Sequence, residues 1–210
     1  MLDQILNLAD KLGLIETLKA KLLRQPQPAA DKLVAVLGEL SKIYGACDAE
    51  LLRYLSLSFD PAGNIADERA VLLTLEGGQL SLRANEARGH CHKIWNIYDH
   101  HLRRWFHEVL APDEAAAMQE LFQRLSYADS QMESAIQEIT RWLSREAEAT
   151  LDLVDAGQLD EANRRIKAAR KEVQGVREAI VRAMNQLLTL QGEFIPMSDP
   201  TPVEAMAALW

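Results

Sequence analysis

All five histidines of the chain, His90, His92, His100, His101 and His107, fall within eighteen residues, beside Cys91 and Asp99. Imidazole, thiolate and carboxylate are metal ligands, so the cluster raises the question of a metal site. Two ligands on one helix reach the same ion when they stand at i and i+4, and no two of these histidines do. His100 and His107 share a face but lie about 10 Å apart along the axis at 1.5 Å per residue. Glu86 and His90 have the right spacing and are the metal candidates. A di-metal centre inside a bundle would need Glu-x-x-His motifs on facing helices; the sequence has none, and no histidine lies outside this cluster. No cofactor is expected. The expected places for the histidines are a solvated face for His92, His100 and His107 and the flanks of the core stripe for His90 and His101.

Other chemistry finds little support. Cys91 falls on an apolar stripe, where a thiol is inert packing. The chain lacks a phosphate loop, a dinucleotide fingerprint, a nucleophile elbow, a zinc-protease helix and any Cys-x-x-Cys pair. Recognition is expected rather than catalysis. Two features could serve it. Trp95, Tyr98, Trp105 and Phe106 form an aromatic group, of which Phe106 sits at the stripe's edge and is expected to touch a partner. The basic run Arg164, Arg165, Lys167, Arg170 and Lys171 could dock an acidic partner or anionic lipid. The same run could also be a solvated face paired with Asp160, Glu161 and Glu172.

Composition bounds these readings. With 48% hydrophobic and 26% charged residues, 210 residues can bury a core. A net charge of −8 disfavours nucleic acid, whose binders need cations for phosphate. Two cysteines cannot make a disulfide framework, so the expected setting is cytoplasmic. Apolar runs are far shorter than the roughly 20 residues of a membrane span; peripheral membrane contact stays open.

The elements that position these residues follow from period. Leu2, Ile5, Ala9, Leu12, Ile15, Leu18 and Leu22 trace an amphipathic helix that ends near Arg24, before Pro26 and Pro28. A second helix runs to about Ser58, and Asp60–Asn64 reads as a turn. Around Gly77-Gly78, Leu73, Leu75, Leu80 and Leu82 alternate, which predicts a small β-hairpin near residues 71–83 with those leucines on one face. A helix interrupted at Gly-Gly is the other reading. An aromatic helix spans about Asn85–Leu110, and a short one follows Pro112. Ser130 and Glu133 predict a cap for a helix ending at Gly157. Beyond it Leu159, Ala162, Ile166, Ala169, Val173, Val176, Ile180, Ala183, Leu187 and Leu190 alternate steps of three and four without a slip. That seam predicts a long helix folded back on its predecessor as an antiparallel hairpin, with coiled-coil character. Lys42–Tyr54 and Lys93–Trp105 also share a residue pattern at an offset of 51, as two helices with similar faces would.

The expected fold class is mainly α: a bundle of about six helices with a long C-terminal helix hairpin and one small β-hairpin. Residues 1–128 form an N-terminal bundle, 129–192 a C-terminal hairpin packed on it, and 193–210 a linker or docking tail. The expected function is a non-enzymatic interaction or scaffold module, belonging to the N-terminal part of a longer protein and working by a protein partner or self-association. The alternative is a membrane-active or effector-type bundle that uses the amphipathic N-terminal helix. A metal-dependent enzyme comes third.

Overall fold

Helix formers dominate the chain, and helices carry the fold. The structure, a computed structural model, describes residues 12–23, 27–63, 65–127 and 130–194, with only the backbone at 27–28 and 78–83. In chain order the helices are α1 (Gly13–Leu22), α2 (Gln27–Leu55), α3 (Ile65–Glu76), α4 (Gly78–Ile97), a π turn (Tyr98–Leu102), α5 (Arg103–Val109), α6 (Pro112–Ser126), α7 (Gln131–Asp155) and α8 (Leu159–Phe194). Among the described residues there is no strand. No described helix is long and apolar enough to cross a membrane. The expected helical stretch at Leu2, Ile5 and Ala9 lies outside the described residues.

The β-hairpin expected near 71–83 is instead α3 followed by α4. Leu72 and Leu75 are fully buried while Leu73 is 44% exposed, a burial period of three rather than two. Leucine, glutamate and glutamine prefer helix, so the Gly-Gly pair serves as a joint and not as a hairpin turn. Gly77 donates its N–H to Leu73 O at 3.2 Å to close α3, then takes extended angles as the N-cap of α4.

The end signals of the later helices work as their chemistry dictates. Pro112 opens α6, and the Glu114 carboxylate accepts the Ala111 N–H at 3.0 Å, satisfying one orphan donor. Ser130 Oγ caps α7 by accepting the Glu133 N–H at 3.2 Å. At the other end Gly157 takes φ +73°, a left-handed conformation that costs a residue with a Cβ about 1–2 kcal/mol. Gly157 N donates to Val154 O and Gln158 N to Leu153 O, the paired bonds of a Schellman stop.

The seam of α8 is buried from Ala162 to Leu190, including Val173 and Ile180 at 0% exposure. Its main partner is α2 rather than its predecessor α7. Three contacts fix the register: Arg170 Nε donates to Leu55 O at 2.7 Å, Arg177 Nε to Asp48 at 2.9 Å, and Gln191 to Val34 O at 3.4 Å. Numbers rise along α8 as they fall along α2, so the two helices run antiparallel. The expected fold-back on α7 is seen toward the Gly157 turn, where Arg165 meets Glu146 at 2.9 Å and Trp142 Nε1 donates to Glu172 at 3.2 Å. The reason is that α2 is apolar on more than one side. It also packs α4, and its Tyr54 hydroxyl hydrogen-bonds Thr150 of α7 at 2.9 Å in the core. The two helices that share the 51-residue pattern, α2 and α4, are thus in contact. Buried residues from Leu12 to Phe194 form one continuous core across both expected segments.

Gly175 lies on the exposed side of α8 with open space where a Cβ would stand. Gly175→Ala is therefore expected to raise stability by about 1 kcal/mol through helix propensity alone. A shift of the urea midpoint to higher concentration checks this; a shift to lower concentration would mean that α8 needs its glycine there.

Candidate functional site

The metal candidates do not converge. Glu86 is exposed, and the Nδ1 of His90 faces Glu39 of α2 in a short contact. Lys42 Nζ also donates to Glu39, at 2.7 Å. Among the described residues no group of three or more His, Cys, Asp or Glu side chains is placed to hold an ion. His92, His100, His101 and His107 are all exposed, so His101 does not flank the core as expected. Burial pushes the Cys47 and Cys91 thiols up to about 12, and Asp48 and Glu133 respectively add to it, so both are protonated packing groups at neutral pH. Glu133, itself buried, lies 3.4 Å from Arg88, and Glu50 lies 3.7 Å from Arg53.

The Glu39 cluster therefore ties α2 to α4 as a structural element. Partial burial pushes the Glu39 carboxyl up, but hydrogen bonds from Lys42 and His90 outweigh it and hold it below the ordinary value of 4.5. A carboxyl with a lowered folded value contributes stability above its unfolded value and loses it as pH falls through the folded one. Glu39→Gln should then cost roughly 1 kcal/mol or less at pH 7, as expected of a partly exposed pair. The urea midpoints of variant and parent should converge below pH 4.5. Midpoints that stay parallel across the acid range would contradict the assignment.

Phe106 is not a surface contact: it is 1% exposed, with Trp105, Phe122 and Tyr98 at ring-centroid distances of 5.2, 5.9 and 6.3 Å. The π turn explains the correction. Ile94, Tyr98, Leu102, Phe106 and Leu110 are all buried at steps of four. Each such step overshoots an α-helical turn by about 40°, and the wider turn at Tyr98–Leu102 takes up the surplus.

The basic run divides. Arg164 pairs with Glu161 at 2.6 Å and Arg165 with Glu146 at 2.9 Å, while Lys167 and Lys171 are exposed on α8. Arg170 alone of the five lines an open channel of about 880 Å³ between the last turns of α2 and the middle of α8. Its apolar surface comes from Leu52, Leu55 and Val181, of which Leu52 and Val181 are 42% and 40% exposed. Around them stand Arg170, Arg177 and Arg182, against one lining carboxylate, Glu178, which accepts a hydrogen bond from Gln174 at 2.9 Å. Arg177 is balanced by Asp48, and Arg170 donates its Nε to the carbonyl of Leu55, capping the end of α2. Arg182 is exposed. In a chain of net charge −8, this is a locally cationic, partly apolar trough.

Leu52 and Val181 were not singled out by sequence reasoning, although a signal existed. Val181 and Leu188 are apolar, seven residues apart and one position off the seam, so they face away from the core. Leu188 is 57% exposed. An apolar pair at heptad spacing outside the buried register is what a second, unfilled contact leaves in a sequence.

Fold and groove together define a helical bundle with an open, partly apolar groove between α2 and α8. Set against family models, curated proteins and solved structures, the chain gives no match.

Proposed function

We propose that this chain is a recognition module whose α2–α8 groove takes an acidic amphipathic helix. The apolar stripe of that helix sits over Leu52 and Val181, and its carboxylates meet Arg170 and Arg182. The observation that carries the reading is the coincidence, in one open groove, of exposed large apolar side chains with guanidinium groups in an otherwise acidic chain. Helix-in-groove docking needs these two components: apolar anchors at i, i+3, i+4 and i+7, and a charged rim that sets orientation. The membrane-active alternative asks α1 to release Leu12, Ile15, Leu18 and Leu22, all buried, and to break the ion pairs from Lys19 to Glu193 and from Lys21 to Glu114.

A fluorescent synthetic helix with an apolar stripe and a glutamate face tests the proposal by anisotropy, beside the same stripe carrying a lysine face. Saturable binding of the acidic peptide alone is expected, weakened roughly tenfold or more by Arg182→Glu and by added salt. Equal binding of both peptides, or none of either, would overturn it.

A further inference from the structure

Resting on that reading of the groove, we infer that residues 203–210 of this same chain are its occupant in cis. Residues 195–210 lie beyond the described part of the structure, but their sequence matches the seat. They hold Asp199 and Glu204 and no lysine or arginine, opposite in sign to the groove's Arg170, Arg177 and Arg182. Val203, Met206 and Trp210 recur at steps of three and four, the spacing that aligns side chains on one face of a helix.

Reach agrees with composition. The described part of helix α8 ends at Phe194, and Val181 stands thirteen residues earlier, about 20 Å back along the axis at 1.5 Å per residue. Residues 195–202 include Pro196, Pro200 and Pro202, which favour extended chain, and eight such residues span about 25 Å at 3.1 Å each. That length lets the chain turn at the end of α8, run back over it and deliver Val203 to Val181 with little to spare. Eight further residues in helix cover about 12 Å, two thirds of the roughly 18 Å of α8 from Arg182 to Arg170 that lines the groove. Leu188 lies under this path and is the most exposed large apolar side chain among the described residues, at 57%. An intramolecular occupant would cover it together with Leu52 and Val181. Such an occupant also competes with any acidic helix offered from outside, so the segment sets the module's affinity for a partner.

The test uses the full chain with a nitroxide at position 208 (Ala208→Cys), where the buried Cys47 and Cys91 thiols leave the new one as the reactive site. Isotope-labelled, spin-labelled chain is diluted into excess unlabelled chain, and methyl resonances of Leu52, Val181 and Leu188 are compared before and after reduction of the nitroxide. Loss of these signals in the oxidised state is expected, with recovery of the Leu52 and Leu188 signals in an Arg182→Glu, Val181→Asp chain. Trp210→Asp should strengthen binding of the external acidic peptide roughly tenfold by removing the internal competitor. Signal loss seen only when label and isotope are on different molecules would overturn the cis assignment in favour of a second copy. Intact signals, with the acidic peptide still shifting the groove methyls, would overturn the occupant and leave the groove reading standing. Intact signals with no peptide response would overturn both.

Discussion

Ile180→Asp is expected to lower the melting temperature of the chain severely, while Val181→Asp, one residue further along α8, leaves the fold standing and abolishes binding of the acidic peptide. Adjacent residues on an α-helix point about 100° apart, and here that angle separates the seam from the groove. Ile180 is 0% exposed on the face that meets α2, whereas Val181 is 40% exposed beside Leu52. A carboxylate placed at Ile180 would be buried with no cation yet assigned to it, a change that exceeds about 4 kcal/mol. That approaches the lower end of the 5–15 kcal/mol by which a domain of this size is stable. At Val181 the carboxylate stays hydrated near Arg182, and the change in stability should fall within about 0.5 kcal/mol. Thermal melting followed by circular dichroism reads the first effect and peptide anisotropy the second. Equal melting of the two variants would show that the seam has been assigned to the wrong face.

The seam was legible because its pattern is long: Val173 and Ile180 could be placed inside from spacing alone, and both are buried. What spacing could not give was the partner. A stripe says that a helix buries one side, not which neighbour covers it, so the chain-adjacent α7 was expected and α2 supplies most of the contact. Helix ends were legible for a similar reason: Ser130, Pro112 and Gly157 act through local hydrogen bonds that do not depend on the rest of the fold. The stretch around Gly77 was not legible, since four leucines at even spacing fit a strand and also fit two helices broken at glycine. Tertiary burial of Leu72 and Leu75 decides between them. Within the groove only Arg170 is marked in the sequence by charge density, whereas the apolar half of the trough lies in Leu52 and Val181. Pairings across more than a hundred residues, such as Asn163 donating to Phe59 O at 2.7 Å and accepting its N–H at 2.9 Å, leave no local trace at all.

Phe106→Ala is expected to cost about 3–5 kcal/mol, the range for emptying a buried aromatic site, although helical spacing counted from Cys91 puts Phe106 at the edge of the stripe. Its ring is 1% exposed beside Phe122, which in turn stacks on Tyr98 at 4.6 Å. Urea denaturation measures the loss, and a cost below about 0.5 kcal/mol would return Phe106 to the surface. The same argument makes a sharper demand on the π turn. If the wider turn at Tyr98–Leu102 absorbs one surplus residue and so keeps Tyr98, Leu102 and Phe106 on one side, then neither its exposed side chains nor that residue is needed once the turn closes. His101 is exposed, so His101→Ala should change stability by no more than about 0.5 kcal/mol. Deleting His101 outright leaves an ordinary α-helical turn that sweeps nearly the same angle with one residue fewer, so α5 keeps its facing and Phe106 its contacts with Phe122. The deletion should therefore cost well below Phe106→Ala. A deletion as damaging as Phe106→Ala would mean that the π turn does not absorb a surplus residue.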